Sequence, residues 1–160
     1  MAKVPRRVNA GPRKPAGFPT TLFSKARDAA RYAYAPYSRF AVGAVVETTD
    51  GKVFTGANME NASYGLTMCA EVGALQAASS SGRLGNVKRI VIVGGPITPD
   101  IKHKPQATAP CGRCRQLISE AAMLGGRDIE VWFADLKGGQ PRRTTISKLL
   151  PHAFGPTNLK

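Results

Sequence analysis

The sequence predicts an α/β fold with three layers, α/β/α, built on a mixed five-stranded sheet. Three observations carry this prediction. After an opening helix, the segments follow in the order β-β-α-β-α-β, with a short fifth strand at the end. The first two strands are joined by a tight turn, which makes them antiparallel. The later strands alternate with helices, and such crossover connections place helices on the faces of a sheet.

The first predicted helix begins at Thr20 or Thr21 as the N-cap and runs to about Tyr34, before Pro36. Its apolar side chains recur at helical spacing and share one face. They are Leu22, Ala26, Ala29 and Ala33.

Residues 40–46 and 52–56 have the composition of strands, and the turn at residues 48–51 joins them as a hairpin. The remaining elements are bounded by glycines or by polar loops. They are a helix over 66–81, a strand over 87–93, a helix over 112–124, a strand over 129–134 and a short strand over 142–146.

A length of 160 residues predicts one domain. Residues 1–17 contain Pro5, Gly11, Pro12 and Pro15, which disfavour a helix. We therefore expect a basic, disordered arm over residues 1–17, followed by a domain over residues 18–160. No apolar run is long enough to span a membrane, and no secretory signal is recognisable. We therefore expect a cytoplasmic protein without a membrane partner.

The formal net charge is +13, and five of the 23 basic residues lie in the acid-free stretch 1–17. Such a field favours anionic partners. However, the basic residues form no long run and are not interleaved with aromatic side chains, as they are in many nucleic-acid grooves. We interpret the charge as a basic surface and consider a nucleic-acid partner unfavoured.

The strongest motifs are Cys69-Ala-Glu71 and Pro110-Cys111-Gly-Arg-Cys114, each at the start of a predicted helix. Three thiolates leave the fourth position of a tetrahedral Zn²⁺ open, as in catalytic rather than structural sites. A water bound there would ionise near neutral pH, and Glu71 is placed to shuttle its proton without binding the metal. This combination is typical of zinc deaminases of cytosine or adenine bases.

A structural zinc site is the alternative, with His103 or His152 as the fourth ligand. A purely structural site has no use for a carboxylate that does not bind the metal. A zinc-stabilised module without catalytic activity is therefore less favoured than an enzyme.

Five ordered segments together resemble the small, homotetrameric, zinc-dependent cytidine deaminases. The segments are residues 35–43, 56–64, 69–71, 110–116 and 149–155. The resemblance implies the cytidine deaminase type of α/β/α sheet, one Zn²⁺ per subunit held by the three cysteines, and catalysis by Glu71. It also implies a homotetramer whose subunits share their active sites.

The resemblance further implies the residues that bind the substrate. Asn58 and Glu60 would hold the ribose hydroxyls, and Phe40 would pack on the pyrimidine ring. Other contacts would come from Ala70 and, in a neighbouring subunit's pocket, from Ala62, Tyr64 and Phe154.

The chain departs from the family beside the metal. Many members carry arginine directly after the catalytic glutamate, where this chain has Val72. We hypothesise that Arg113, between the second pair of cysteines, supplies the missing positive charge, with Arg115 as a second cation near the thiolates. Blasticidin-S deaminase is similar in that an apolar residue follows its catalytic glutamate.

The function expected from these residues is hydrolysis of free cytidine or deoxycytidine to the uracil nucleoside and ammonia, in pyrimidine salvage. A modified cytosine nucleoside such as blasticidin S stays open as substrate. A polynucleotide deaminase is less favoured, because residues that bind a free sugar hydroxyl would obstruct a continuing strand.

Overall fold

The computed structural model describes residues 15–98 and 105–159. Most of the predicted arm, residues 1–14, and the centre of the long loop that follows the third strand lie outside the described residues. So does His103. The prediction that divides the chain at Phe18 is therefore not tested.

Five strands form one mixed sheet in the order β2-β1-β3-β4-β5. The strands β3 and β4 are parallel, and the other neighbours are antiparallel. The bounds are Phe40–Thr48 for β1, Val53–Ala57 for β2, Val87–Pro96 for β3, Glu130–Asp135 for β4 and Arg142–Thr145 for β5. All five predicted strands and the mixed sheet are confirmed.

Within residues 15–98 and 105–159, three long helices and one short helix accompany the sheet. They are Thr20–Ala30 for α1, Ala70–Ser80 for α2, Gly112–Gly125 for α3 and Ile146–Leu149 for α4. Short 3-10 turns occupy Tyr64–Leu66, Leu84–Asn86 and Pro156–Leu159. The sequence analysis did not anticipate α4 or these turns, because elements of three or four residues leave almost no periodic signal.

Both predicted boundaries of α1 were wrong. The N-cap of α1 is Pro19 rather than a threonine, and the helix ends at Ala30 because the next residues leave it to reach Tyr34, which pairs with Met59. Of the four residues expected on its buried face, Leu22 and Ala26 are buried, while Ala29 and Ala33 are partly exposed.

The start of α2 lies four residues later than expected, at Ala70. Residues 64–66 form a separate 3-10 turn, and Met68 pairs with Met59 instead of joining the helix. Cys69 is consequently the N-cap, with an extended backbone (φ −72°, ψ 153°). This correction moves Cys69 from the first turn of a helix to the residue that precedes it.

The sheet separates two cores. On one face α1 packs against β1, β3 and β4 through a cluster that includes the fully buried Trp132. On the other face α2 and α3 pack side by side against the same strands, with Ile90, Ile92 and Ile118 at the centre. The three-layer α/β/α prediction is confirmed. Among the described residues, no helix is long and apolar enough to cross a membrane.

Two glycines allow helices to lie directly on the sheet backbone. A Cβ atom on Gly43 would lie 2.0 Å from the carbonyl oxygen of Ala26 in α1. A Cβ atom on Gly56 would lie 2.3 Å from the carbonyl oxygen of Ala70 and 2.6 Å from the backbone nitrogen of Ala74. Gly56 therefore fixes how closely the first turns of α2 approach β2.

We expect Gly43→Ala and Gly56→Ala each to lower the free energy of unfolding by about 1–3 kcal/mol, because the added methyl group meets rigid backbone. Denaturant titration measures this. Only Gly56→Ala should also weaken zinc binding, since it displaces the helix that Cys69 begins. Gly73→Ala is the control, because its Cβ would lie 3.5 Å from the nearest atom, and a loss of stability there as large as at Gly56 would contradict the explanation.

Candidate metal centre and active site

The three cysteines meet where α2 and α3 begin. Cys69 is the N-cap of α2, Cys111 is the N-cap of α3, and Cys114 lies in the first turn of α3. Neither N-cap side chain makes a capping hydrogen bond to the backbone of its own helix, so both sulfur atoms are available to a common ligand. The N-termini of both helices direct partial positive charge at this point, which favours thiolates.

The sulfur atoms have the spacing of a tetrahedral zinc site. Sγ of Cys69 lies 3.8 Å from Sγ of Cys111, which lies 3.5 Å from Sγ of Cys114, and all three lie within 4.8 Å of one another. A Zn–S bond of ~2.3 Å in a regular tetrahedron requires sulfur atoms ~3.8 Å apart. The donor set fits one Zn²⁺ with a fourth position open.

Among the described residues, this is the one cluster of three or more His, Cys, Asp or Glu side chains arranged for a single metal ion. Neither Glu71 nor His152 belongs to it. The alternative of a closed site with His152 as the fourth ligand is therefore not supported.

The three thiols influence one another strongly. Hydrogen bonding by Cys114, hydrogen bonding by Cys111 and the positive charge of Arg113 lower the pKa of Cys69 to about 6, against the opposing effect of burial. The pKa of Cys114 is raised, because its hydrogen bond with Cys69 favours the protonated thiol and burial adds to this. Sulfurs this close cannot all ionise without a cation between them.

Glu71 lies in the first turn of α2 and is only 4% exposed. Burial raises its pKa to about 6, and the negative charge of Cys69 acts in the same direction. A carboxyl group that changes protonation state near neutral pH is suited to general acid–base catalysis. Ala70, between Cys69 and Glu71, is completely buried.

Asn58 and Glu60 lie on the segment that follows β2. The Asn58 side chain binds the β1 backbone, accepting from the amide of Val42 (2.8 Å) and donating to the carbonyl of Phe40 (2.9 Å). One amide hydrogen of Asn58 remains for another acceptor. Asn58 therefore has a structural function, joining the segment after β2 to the start of β1.

The Glu60 carboxylate is fixed through one oxygen. Its Oε2 atom accepts hydrogen bonds from the backbone amides of Tyr37 (2.9 Å) and Ser38 (3.2 Å). Hydrogen bonds, with Ser38 the largest contributor, lower the pKa of Glu60. Glu60 is therefore ionised and can accept a further hydrogen bond through Oε1. It lines a cavity of about 310 Å³ together with Tyr37, Ser38, Tyr64 and Thr67.

The other residues expected to contact the substrate differ in how exposed their side chains are. Phe40 is half-buried at the start of β1. Ala62, Tyr64 (74% exposed) and Phe154 (59% exposed) lie at the surface. The structure thus brings together the metal cluster and Glu71, and it leaves the residues expected to serve a neighbouring subunit facing outward.

The two arginines beside the cysteines make different contacts. Arg113 donates from α3 to the carbonyl oxygen of Thr67 (3.4 Å) and lies 3.6 Å from Sδ of Met68, so it bridges to the segment that leads into Cys69. Arg115 donates to the carbonyl oxygens of Pro110 (2.9 Å) and Leu149 (3.3 Å). Arg115 therefore holds backbone segments together, whereas Arg113 places charge near Cys69.

Tyr37, Ser38 and Gln116 also contribute hydrogen bonds to the site, and the sequence did not lead us to expect them. Tyr37 and Ser38 act through backbone amides, which no residue type reveals. Gln116 donates to the carbonyl oxygen of Phe154 (2.8 Å), and its position two residues after Cys114 was the available signal.

We expect Cys69→Ser, Cys111→Ser and Cys114→Ser each to abolish stoichiometric zinc binding, because two thiolates hold the ion too weakly. Metal analysis of dialysed protein should give about one zinc per chain for the unmodified protein. Glu71→Gln should retain that zinc, since its carboxylate is outside the sulfur cluster. Loss of zinc in Glu71→Gln to the same extent as in the cysteine variants would contradict its placement.

Comparison with known proteins agrees with this geometry. Residues 18–124 match the family model of the cytidine and deoxycytidylate deaminase zinc-binding region. The cytidine deaminase of Halalkalibacterium halodurans is 44% identical over 133 residues, covering 83% of this chain and 91% of that protein. The cytidine deaminase of Mycobacterium tuberculosis is 41% identical over 138 residues, covering 86% of this chain and 90% of that protein.

Solved structures give the same result. The crystal structure of cytidine deaminase from Burkholderia pseudomallei superposes with a TM-score of 0.71 at 46% identity, covering 84% of this chain and 98% of that chain. The open cluster of three cysteines, the mixed sheet and these matches lead to one conclusion. The chain belongs to the cytidine and deoxycytidylate deaminase family of zinc-dependent enzymes.

Proposed function

We propose that this enzyme hydrolyses free cytidine and deoxycytidine to uridine and deoxyuridine, releasing ammonia. The observation that carries the proposal is the open three-sulfur site with the buried carboxyl group of Glu71 beside it. Its curated relatives with the same domain are cytidine deaminases. A role in pyrimidine salvage and a cytoplasmic location are part of the proposal, the latter supported by three cysteines that form no disulfide.

Cys69, Cys111 and Cys114 would hold the Zn²⁺, which when bound would supply Lewis acidity that lowers the pKa of water to about 7. Glu71 accepts one proton of the attacking water and delivers it to the pyrimidine ring nitrogen. It then passes the second proton of the same oxygen to the departing amino group, so that ammonia leaves as the carbonyl of the uracil base forms. Its burial supports this function, because a pKa near 6 makes both protonation states available at neutral pH.

We assign the sugar to Glu60 and Asn58. The free Oε1 atom of Glu60 accepts from a ribose hydroxyl, and the remaining amide hydrogen of Asn58 donates to one. Phe40 lies beside them at the start of β1 and packs against the base. An ionised Glu60 disfavours a phosphate at the same place, which supports a free nucleoside over a polynucleotide.

A homotetramer with shared active sites completes the proposal. Tyr64, Leu66 and Phe154 are 74%, 63% and 59% exposed, and Tyr64 borders the cavity that Glu60 lines. Large apolar side chains at the rim of a site are suited to an interface between subunits. In this arrangement Ala62, Tyr64 and Phe154 contact the nucleoside of a neighbouring subunit.

Arg113 is proposed to offset the excess negative charge of three thiolates, which Val72 cannot do. Its guanidinium reaches across to Thr67 and Met68 and lowers the pKa of the adjacent Cys69. Arg115 contributes a second positive charge in the first turn of α3, while its Nε and Nη1 atoms donate to backbone carbonyls.

We expect zinc-replete protein to convert cytidine and deoxycytidine. The change in ultraviolet absorbance of the base measures this conversion. Glu71→Gln should lower kcat at least about a hundredfold, because it removes the proton shuttle. Glu120→Gln makes the same chemical change at an exposed position of α3 and should leave kcat unchanged. Wild-type protein that leaves both nucleosides unchanged would refute the proposal, and conversion of blasticidin S alone would select that substrate instead.

We expect Arg113→Ala to weaken zinc binding at least about tenfold, measured by competition with a chelator, because the thiolates lose a neighbouring cation. Arg113→Lys should retain part of the affinity. Arg142→Ala removes the same charge from the exposed strand β5 and should have no effect. Wild-type zinc affinity and turnover in Arg113→Ala would refute the proposal that Arg113 supplies the compensating charge.

A further inference from the structure

Two consecutive residues after Cys114 hold the C-terminal segment. Arg115 Nη1 donates to the carbonyl oxygen of Leu149, and Gln116 Nε2 donates to that of Phe154. The first turn of the zinc-binding helix α3 is thereby joined to both ends of residues 149–154.

The backbone that follows Phe154 is also fixed. The amide of Gly155 donates to the side chain of Asn158 (2.8 Å), and Gly155 is buried. A Cβ atom on Gly155 would lie 2.3 Å from Sδ of Met123 in α3, so this part of the chain passes close to the helix. Phe154 itself projects outward, 59% exposed. The backbone from which its ring projects is thus held by Gln116 at Phe154 and by the contacts of Gly155.

We propose that Gln116 is a positioning residue that fixes Phe154 relative to the metal centre. The inference rests on the proposed function, in which Phe154 completes a neighbouring nucleoside pocket. Because Gln116 lies two residues from a metal ligand, its hydrogen bond transmits the geometry of one subunit's zinc site to the aromatic contact that this subunit offers its neighbour.

The kinetic test uses Gln116→Met, which keeps the length and neutrality of the side chain but removes the donor. We expect KM for cytidine to rise about two- to tenfold, the effect of one neutral hydrogen bond, while kcat changes less than twofold. Zinc content and thermal unfolding should stay at wild-type values. Gln76→Met, the same substitution at an exposed position of α2, is the control and should leave KM unchanged.

A double-mutant cycle separates positioning from a direct effect. If Gln116 acts through Phe154, then Gln116→Met should raise KM no further once Phe154→Ala is present. If the increases in KM caused by the two single substitutions multiply in the double variant, the proposal is overturned, because Gln116 then influences substrate binding by another route. A wild-type KM in Gln116→Met would overturn it directly.

Hydrogen exchange gives a readout that does not need substrate. Amides of residues 150–159 should exchange faster in zinc-loaded Gln116→Met than in the wild type or in Gln76→Met. Unchanged exchange would overturn the link between Gln116 and this segment. An enzyme that fails to deaminate cytidine would refute the proposed function, and the exchange rates would still decide whether Gln116 holds Phe154.

Discussion

The convergence of two helix N-termini on one point is the constraint on which the rest of this structure depends. Sγ of Cys69 and Sγ of Cys111 lie 3.8 Å apart although the residues are 42 positions apart in the chain. Each sulfur belongs to the N-cap of a helix that lies on the same face of the sheet. Where α2 contacts β2 the residues are small, including Gly56 and the fully buried Ala70 and Ala74. The distance between this helix and this strand is therefore set by backbone atoms. Packing of the helices therefore determines the geometry of the metal centre.

The same convergence brings several groups that can carry negative charge close together, and neighbouring positive charges offset them. Three thiolates and the Glu71 carboxyl group share a small, partly buried volume. Burial, and after it the negative charge of Cys69, raises the pKa of Glu71, while the hydrogen bond with Cys69, and after it burial, raises the pKa of Cys114. Zinc, the two helix N-termini and the nearby guanidinium of Arg113 supply the opposite charge. The carboxyl group of Glu71 is tuned chiefly by burial, because surroundings of low polarity disfavour its charged form.

Features encoded by local residue patterns were predictable from the sequence, and those that depend on tertiary contacts were not. The order of strands and helices and the cysteine motifs each rest on short, contiguous signals. The true start of α2 at Ala70 was missed because Met68 pairs with Met59, a contact between distant segments. The hydrogen bonds of the Asn58 side chain to β1 were missed for the same reason. The roles expected for the zinc ligands and Glu71 came from the spacing of their motifs, and those expected for the substrate-binding residues came from the family resemblance.

The three sulfur atoms differ in their access to solvent. Cys111 is exposed, Cys69 is half-buried and Cys114 is buried. Solvent therefore reaches the metal centre from the side of Cys111, at the open end of α3. Two thiols 3.5 Å apart are also close enough to form a disulfide once no metal separates them. A bound zinc ion would keep these sulfur atoms apart, so the loaded centre would resist an oxidation to which the empty one is open.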